Sequence, residues 1–479
     1  MSDVRLHTDG IRAAQSQWAA LPIEERCDVL RAIGRSFAGR AETIVARVCE
    51  ETRKSEVDAW FADLIPNVDL FTYWTGEGKK ALKDEKVSLS SLKFPGKLAR
   101  LSYEPKGIVG LITPWNYPVA LPLRSLIPAL LAGNAVLFKP SEVTPSTGDL
   151  LASIFNEFLP TGVLTVVHGA REEGEAVVDA SDHVIFIGSV ETGRSVATRC
   201  AQALKTVSLE LGGKDAALVL ADCDLERTAQ GILWGAMSNS GQNCASIERV
   251  YVEDEIYETF VKTITQLSKG ITVHPVATEM QDEKVKKHLA DAVDSGASLI
   301  GSYPGPVWVT NADENALVVN DETFGPVCVI AAVSSARDGM RRANQGRYGL
   351  STSIWTRNEK RAMQLAEEAD TGVVSINNVA LTAAMPFAPW SGRHHSGSGV
   401  TNSHLAIREM VQPKFVLYDS NSDPEVWWFP ATDQALSLAR TTLSWLTAKP
   451  LSKLGKTFAV LGAMKGRIRE QKKHLKEHS

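Results

Sequence analysis

Cys244 lies in the stretch SNSGQNCASIERV (238–250), in a loop of small and polar residues between a predicted helix and a predicted strand. Its neighbours Asn243 and Ala245 offer little that would bury a thiol. A cysteine thiolate at such a loop is a nucleophile that adds to electrophilic carbon. We therefore predict a catalytic nucleophile at Cys244. The alternative is a small apolar core residue, which is the commoner role of cysteine.

Other polar side chains follow predicted strands. Asn116 ends one strand in LITPWNYP, and Lys139 and Glu142 end the next in LFKPSE. An ammonium and a carboxylate at this spacing can each bond a hydroxyl of a nucleotide ribose, and the alternative is a solvated loop with one salt bridge. Gly188 and Ser189 end IFIGS and open a helix, whose free N–H groups favour a phosphate. Because the GxGxxG fingerprint is absent here, these residues alone are weak evidence.

The elements that must position these residues alternate. From about 100 to 210, short β-rich runs precede longer amphipathic stretches four times, which predicts a parallel sheet with right-handed crossovers. Ligands of such open sheets bind beyond the carboxyl ends of the strands. A second alternation begins at KTVSLELGGKDAALVL and predicts a second α/β domain. The first 60 residues have the three- and four-residue apolar spacing of helices.

Composition excludes several classes of protein. The chain has 479 residues, 44% hydrophobic and 22% charged, which predicts a globular protein with two or three cores. Six scattered cysteines indicate neither a disulfide framework nor a metal site. A net charge of -5 gives no general attraction for nucleic acid. No apolar run suits a bilayer span and no secretory signal begins the chain, so we expect a cytoplasmic protein.

Six motifs in order resemble the aldehyde dehydrogenase superfamily of NAD(P)-dependent, non-acylating enzymes, over about 20 to 418. They are TPWNYP, GNAVLFKPSE, FIGSVETG, LELGGKD, GQNCAS and ETFGPV. The resemblance implies an α/β fold with a Rossmann-like parallel-sheet cofactor domain, a second α/β catalytic domain and a small β oligomerisation arm. The expected domains are 1–211 for NAD binding, with 92–106 contributing to the arm, 212–400 for catalysis, 401–420 as return segment and oligomerisation strand, and 421–479 as an amphipathic and basic extension.

The resemblance also implies the chemistry, the NAD-dependent oxidation of an aldehyde to its carboxylic acid. Cys244 would form a thiohemiacetal, hydride would leave for the nicotinamide, and water would cleave the resulting thioester. Asn116 and the backbone N–H of Cys244 would hold the oxyanion. Glu210 would be the general base, with a proton affinity raised by its apolar neighbours in LELGG. Its presence favours hydrolysis over transfer to coenzyme A or phosphate.

The cofactor contacts carry over as implied by the resemblance. They are Trp115, Lys139, Ser141, Glu142, Gly188, Ser189, Gly193, Leu211, Glu322 and Phe324. A carboxylate at Glu142 would repel a 2'-phosphate, so NAD is expected in preference to NADP. Two departures stand out. Ile187 replaces a common threonine, and PFAPWSGRHHSGSG replaces a glycine-rich run near the substrate entrance.

The substrate is less constrained. Tyr117, Arg124 and Asn243 are the expected substrate residues, and we expect a hydrophobic aliphatic or aromatic aldehyde. In semialdehyde dehydrogenases of the superfamily an arginine at the place of Arg124 binds the far carboxylate of the substrate, which is the alternative function. Arg124 in a salt bridge between domains is the structural alternative. A non-catalytic protein that retains the fold is the alternative from another class.

The tail after 420 differs in character. The aromatic run WWF is followed by a predicted apolar stripe that contains Ala435, Leu436, Leu438, Leu443 and Leu446. From Lys449 onward the chain is basic, with nine Lys and Arg residues and only two Glu residues. This pattern indicates peripheral membrane contact, and the alternative is packing on the protein itself, a partner subunit or the tunnel mouth. KLARLSYEPKG and QPKFVLYDS resemble segments that pair strands across subunits, so we expect a homodimer or homotetramer.

Overall fold

The structure is a computed structural model that describes residues 6, 8–91 and 93–478. The first positions of the expected 1–211 domain, position 92 of the expected arm and position 479 of the tail lie outside the described residues. Contacts divide the chain into two compact units. The first contains 1–83 and 103–413, and the second contains 84–102 and 414–479.

The helices are α1 Asp9–Ala20, α2 Ile23–Gly39, α3 Ala41–Thr52, α4 Glu56–Asp58, α5 Ile65–Thr75, α6 Ala120–Leu131, α7 Pro145–Asn156, α8 Arg171–Ala180, α9 Val190–Gln202, α10 Leu225–Met237, α11 Tyr257–Ser268, α12 Glu279–Asp294, α13 Leu317–Asn320, α14 Ala336–Asn344, α15 Glu359–Glu368, α16 Ser403–Glu409, α17 Asp433–Leu446 and α18 Pro450–His478. A π-helical turn at Ala59–Leu64 precedes α5.

The strands are β1 Glu85–Val87, β2 Lys97–Pro105, β3 Ile108–Ile112, β4 Ala135–Lys139, β5 Leu164–Val166, β6 His183–Ile187, β7 Thr206–Glu210, β8 Asp215–Val219, β9 Ile247–Glu253, β10 Ser298–Gly301, β11 Val307–Thr310, β12 Val327–Val333, β13 Tyr348–Gly349, β14 Ser351–Trp355, β15 Val373–Ile376, β16 Arg393–His394, β17 Gly397–Ser398 and β18 Val411–Asp419.

A six-stranded sheet of the first unit has the order β17-β7-β6-β3-β4-β5, and all pairs except β17 with β7 are parallel. Strands β4 and β6 are buried along their whole length, which is why they read as continuous apolar runs. The register places Ile112 beside Lys139 and Ile187 beside Glu210. The carboxyl ends of these strands therefore meet at one edge, as the strand–helix alternation predicts.

A seven-stranded sheet of the same unit has the order β10-β11-β12-β9-β8-β14-β15, in which only β10 is antiparallel. Its core packs α10 and α11 on one side through residues such as Ile232 and Phe260. The prediction of two α/β layers with Rossmann-like parallel sheets is confirmed. Strand β9 begins three residues after Cys244, so this sheet anchors the loop of the predicted nucleophile.

The second unit contains the three-stranded sheet β1-β2-β18 and the hairpin of α17 and α18. The two helices are antiparallel, since the indole of Trp445 donates to Thr457 while Thr432 donates to Glu470. Leu438 is buried in this hairpin. Leu436, two residues earlier, is exposed, and two residues turn an α-helix by more than half a turn. The prediction that both leucines lie on one stripe is therefore wrong for Leu438.

Candidate active site

The loop that carries Cys244 is tightly fixed. A 3₁₀ turn at Ser238–Gly241 precedes it, with Asn239 in a left-handed conformation. The side chain of Asn239 donates to the carbonyls of Asn116 and Gln242, both at 3.1 Å. A Cβ on Gly241 would lie 2.1 Å from a carbonyl oxygen of the backbone opposite, so only glycine fits this turn. Cys244 itself is half-buried rather than sealed in packing.

The thiol and the predicted base lie together. Cys244 Sγ is 3.8 Å from Oε1 of Glu210, which ends β7 and is buried. Asn243 Oδ1 is 3.7 Å from the same sulfur and accepts the amide of Ala245 at 3.1 Å. A nucleophile and an acceptor for its proton thus converge from opposite sheets, although 34 positions separate them in the chain.

Burial sets the protonation of this pair. It raises the pKa of the Cys244 thiol well above its usual range, and the charge of Glu210 raises this pKa further. Burial also raises the pKa of Glu210. The charge of Arg124 opposes both shifts. The resting side chain is therefore a thiol, and the thiolate assumed from the sequence has to be formed by proton transfer at the moment of attack.

Asn116 reaches the same loop from the carboxyl side of β3. It is buried, and its Nδ2 donates to the carbonyl of Gln242 at 3.2 Å. A carboxamide nitrogen carries two hydrogens. Because Gln242 takes one of them, the second remains for another acceptor, as the predicted role of Asn116 as an oxyanion donor requires.

An ion pair that the sequence did not reveal holds this segment. Lys54 and Asp63 are buried, with Nζ 2.6 Å from Oδ2. Lys54 also donates to the carbonyl of Asn116 at 2.8 Å and lies 4.1 Å above the ring of Tyr117. The other oxygen of Asp63 accepts the amides of Val119 and Ala120 at the start of α6. The pair thus fixes both the oxyanion residue and the helix beside the site.

Arg124 projects from α6 toward the site. Its charge lowers the pKa of Cys244, Glu210 and Tyr117 against their burial. Among the ion pairs of the described residues, none includes Arg124. The described part of the chain therefore offers no support for the alternative in which Arg124 serves a salt bridge between domains.

A cleft of about 650 Å³ opens beyond the carboxyl ends of β3, β4 and β6. Six of the expected cofactor residues line it, namely Trp115, Lys139, Ser141, Glu142, Gly188 and Ser189. Lys139 is buried with Nζ 3.7 Å from the largely exposed carboxylate of Glu142. Ser189 caps α9, whose N-terminus therefore faces the cleft. An ammonium, a carboxylate and a helix N-terminus fit the riboses and phosphates of a dinucleotide.

Glu322 and Phe324 approach from the second sheet. Glu322 accepts the amide of Gly213 at 3.0 Å, and burial raises its pKa to about 7. The ring of Phe324 meets that of Trp115 edge-on, with centroids 5.8 Å apart. The buried carboxylate of Glu248 accepts the amide of Phe324 at 2.8 Å, which supports its left-handed backbone. Glu248 is a second positioning group that the sequence did not reveal.

Two further expected cofactor residues, Gly193 and Leu211, contact each other. Gly193 lies on α9 against Leu211, because a Cβ added to this glycine would be 2.5 Å from the leucine Cδ2. Neither residue is among those lining the cleft. In this structure they pack α9 close to the end of β7. Among the described residues, no group of three or more His, Cys, Asp or Glu has the arrangement of a metal site.

Comparisons with known proteins agree with this geometry. The chain is 33% identical over 436 residues to the 4,4'-diapolycopene aldehyde oxidase of Methylomonas sp, covering 88% of this chain and 82% of the relative. It is 32% identical over 422 residues to the 2-aminomuconic 6-semialdehyde dehydrogenase of Pseudomonas sp, covering 81% and 85%. The NAD+ complex of an aldehyde dehydrogenase from Bacillus cereus superposes with a TM-score of 0.81 at 28% identity, covering 87% and 90%.

The fold, the convergent site and these relatives agree with a match over nearly the whole chain. The family model described as "Aldehyde dehydrogenase family" matches residues 2–416. The chain therefore belongs to the aldehyde dehydrogenase family.

Proposed function

We propose that this enzyme oxidises an aldehyde to the carboxylic acid with NAD as hydride acceptor and water as the final nucleophile. The observation that carries the proposal is the 3.8 Å separation of Cys244 Sγ and Glu210 Oε1 in a half-buried site that also receives the amide of Asn116. A nucleophile, a base and an oxyanion donor are the groups that acyl chemistry at an aldehyde carbon needs.

The residues divide the reaction as follows. Glu210 takes the thiol proton while sulfur bonds to the carbonyl carbon, and the π electrons move to oxygen. Asn116 Nδ2 and the backbone N–H of Cys244 stabilise this oxyanion, at about 3 kcal/mol for each donor. When bound, the dinucleotide supplies the acceptor for the hydride that the carbon loses. Glu210, having released its first proton to solvent, then deprotonates water, which attacks the thioester. The tetrahedral adduct collapses to the acid and expels the sulfur of Cys244, which regains its proton from Glu210.

Support for NAD comes from Glu142. Its carboxylate lies 3.7 Å from Lys139 Nζ at the edge of the cleft, where a ribose hydroxyl can accept from the ammonium and donate to the carboxylate. A 2'-phosphate would bring two negative groups together. The Bacillus cereus structure is an NAD+ complex, which is in keeping with this choice.

For the substrate we propose an apolar aldehyde. Cys244 packs against a buried cluster of Ala245, Leu350, Val373 and Trp390, so one side of the reacting residue is apolar. The 4,4'-diapolycopene aldehyde oxidase supports this class. A semialdehyde is the second candidate, because Arg124 has no ion pair among the described residues and one relative is a 2-aminomuconic 6-semialdehyde dehydrogenase.

We also propose a homodimer or homotetramer. Phe415, Leu417 and Tyr418 are exposed on β18, which is an edge strand of its sheet. An uncovered apolar edge strand is a liability that pairing with another chain removes. Light scattering behind size-exclusion chromatography measures the mass, and a monomer would contradict this part of the proposal.

Formation of reduced nicotinamide tests the function directly. The protein is mixed with NAD and a panel of straight-chain aldehydes of increasing length, with succinic semialdehyde beside them. We expect reduction with the longer apolar aldehydes and none with the Cys244→Ala variant. A wild-type protein that is silent on every aldehyde, or a Cys244→Ala variant as active as wild type, would support a non-catalytic protein instead.

A further inference from the structure

Helix α18 presents a row of large apolar side chains to solvent. Leu451, Leu454, Phe458 and Leu461 are all exposed, and Leu451 is fully so. Their spacing of three, four and three residues places them on one face of the helix. This face is opposite Val460, which is buried against α17. The row is therefore not the core of the hairpin. Among the described residues of this unit, nothing covers it.

The same face becomes basic further along the helix. The spacing continues through Lys465 and Arg469, four residues apart, and reaches Lys476 after two more turns. All three are exposed. The acidic residues of the helix are elsewhere, since Glu470 binds the buried Arg467 at 2.6 Å. One face of α18 thus has an apolar first half and a cationic second half.

A loop of the same unit exposes aromatic rings. Trp427, Trp428 and Phe429 are each more than half exposed. Their backbone is nevertheless fixed by Arg467, a buried side chain that donates to the carbonyls of Val426 at 3.1 Å and Trp428 at 2.6 Å. Arg467 follows Val460 by seven residues and so lies on the same side of α18, which places this loop beside the covered side of the helix and not on the exposed row.

We propose that the exposed face of α18, apolar from Leu451 to Leu461 and basic from Lys465 to Lys476, docks on an anionic lipid bilayer. A bilayer interface has acyl chains for the apolar half and anionic headgroups for the basic half. The exposed Lys465, Arg469 and Lys476 complement such a surface in charge. A second copy of the same face would bring like charges together. Among the described residues, no helix has the length and apolarity to cross the bilayer, so contact is peripheral.

Flotation of the full chain with vesicles tests the proposal. Vesicles of phosphatidylcholine with one third phosphatidylglycerol are compared with vesicles of phosphatidylcholine alone. We expect wild type to float with the anionic vesicles and to be released by high salt. The Leu454→Ser/Phe458→Ser variant is expected to bind more than about tenfold more weakly, because it loses two apolar side chains that would enter the bilayer. The Lys465→Glu/Arg469→Glu variant is expected to lose a similar factor on anionic vesicles.

The control is Leu204→Ser, which removes an even more exposed apolar side chain from the first unit. It should float as wild type does, and all variants should keep their helical circular dichroism and their turnover of a short, water-soluble aldehyde. Wild type that stays at the bottom of the gradient, or a Leu204→Ser variant that weakens as much as the α18 variants, overturns the proposal. So does a Leu454→Ser/Phe458→Ser variant that loses oligomer mass and retains vesicle binding, because a second copy is then the occupant.

Discussion

The indole Nε1 of Trp390 donates a hydrogen bond of 2.9 Å to Oε1 of Glu210, the same oxygen that lies 3.8 Å from Cys244 Sγ. Trp390 is buried and cannot exchange this partner for water. A single carboxylate oxygen is therefore held toward the thiol by a side chain 180 positions away. This tryptophan belongs to PFAPWSGRHHSGSG, the segment in which the sequence departs from the superfamily pattern. This segment thus contributes a group that orients the carboxylate of Glu210.

Trp390→Phe should shift the pH dependence of turnover. The hydrogen bond stabilises the ionised carboxylate and lowers the pKa of Glu210 against the larger effect of burial. Phenylalanine keeps an apolar ring and removes the donor, so the pKa of Glu210 rises and less of the base is ionised at a given pH. The acid limb of kcat should move upward by about one to two pH units, since a hydrogen bond to a charged group contributes about 1.5–3 kcal/mol.

Trp308→Phe is the matched control for this experiment. Trp308, on β11 of the second sheet, is also buried and also donates through Nε1, at 2.8 Å to Ser268 at the end of α11. The control should lower stability and leave the acid limb in place. If both variants move the limb equally, or if neither does, Trp390 does not orient the base.

Lys54→Met should damage stability and turnover together. The variant leaves Asp63 as an unpaired charge with 1% of its side chain exposed, which costs about 3–5 kcal/mol of the free energy of unfolding. It also removes one of the two donors to the Asn116 carbonyl and leaves only Asn239, so the proposed oxyanion donor is held less firmly. Denaturant unfolding and kcat measure the two effects.

The double variant Lys54→Met/Asp63→Asn separates them. With both charges removed, much of the stability should return, because a neutral amide can still accept the amides at the start of α6. Turnover should remain below that of wild type, since the charged donor to Asn116 is still absent and only the weaker amide of Asn239 remains. Full recovery of kcat in the double variant would assign the pair a purely structural role.

The control for a surface ion pair is Arg12→Met, which breaks a half-exposed pair with Asp182. It should lower the free energy of unfolding by less than about 1 kcal/mol.

These pairs mark the limit of what the sequence predicts. Asn116, Lys139 and Glu210 were found because carboxyl ends of parallel strands meet at one edge, and because each stands in a recognisable motif. Trp390 and Lys54 were missed because their contacts join distant segments, and neither residue type signals its partner. Packing of tryptophan or lysine depends on the finished fold, which local periodicity does not describe.

The tail shows the same limit on a shorter scale. Its apolar residues predicted an amphipathic helix, and α17 and α18 are helices. The predicted stripe nevertheless included Leu438, which is buried, and it omitted the exposed row that begins at Leu451. The spacing of apolar residues predicts that a helix is amphipathic. Which face is buried depends on the helix that packs against it.

Arg124→Leu should act on every aldehyde through charge. Arg124 lowers the pKa of both Cys244 and Glu210 against burial, so its removal raises both values. The acid limb of kcat/KM should then move to higher pH for a straight-chain aldehyde and for succinic semialdehyde alike. A substrate carboxylate bound by the guanidinium would add a loss of roughly tenfold to a hundredfold for the semialdehyde alone.

Arg124→Lys distinguishes charge from geometry. Lysine keeps the positive charge and loses the bidentate fork, so the pH limb should return toward its wild-type position. A semialdehyde that recovers only in part would favour the second candidate substrate. Equal behaviour of both aldehydes in all variants favours the apolar class. An unmoved limb in Arg124→Leu contradicts the electrostatic role.

Glu142→Gln should relax the choice of cofactor. The Glu142 side chain is 64% exposed at the edge of the cleft, so its repulsion of a 2'-phosphate is worth only about 1 kcal/mol. Neutralising it should raise kcat/KM for NADP relative to NAD by about fivefold, measured with one aldehyde and both dinucleotides. Glu191→Gln is the control, because Glu191 lines the same cleft from the start of α9. Glu191 follows β6, whereas Lys139 ends β4 and Glu142 follows it, so the ratio of the two kcat/KM values in Glu191→Gln should stay near that of wild type. An equal change in both variants would mean that the overall charge of the cleft, rather than Glu142, selects the cofactor.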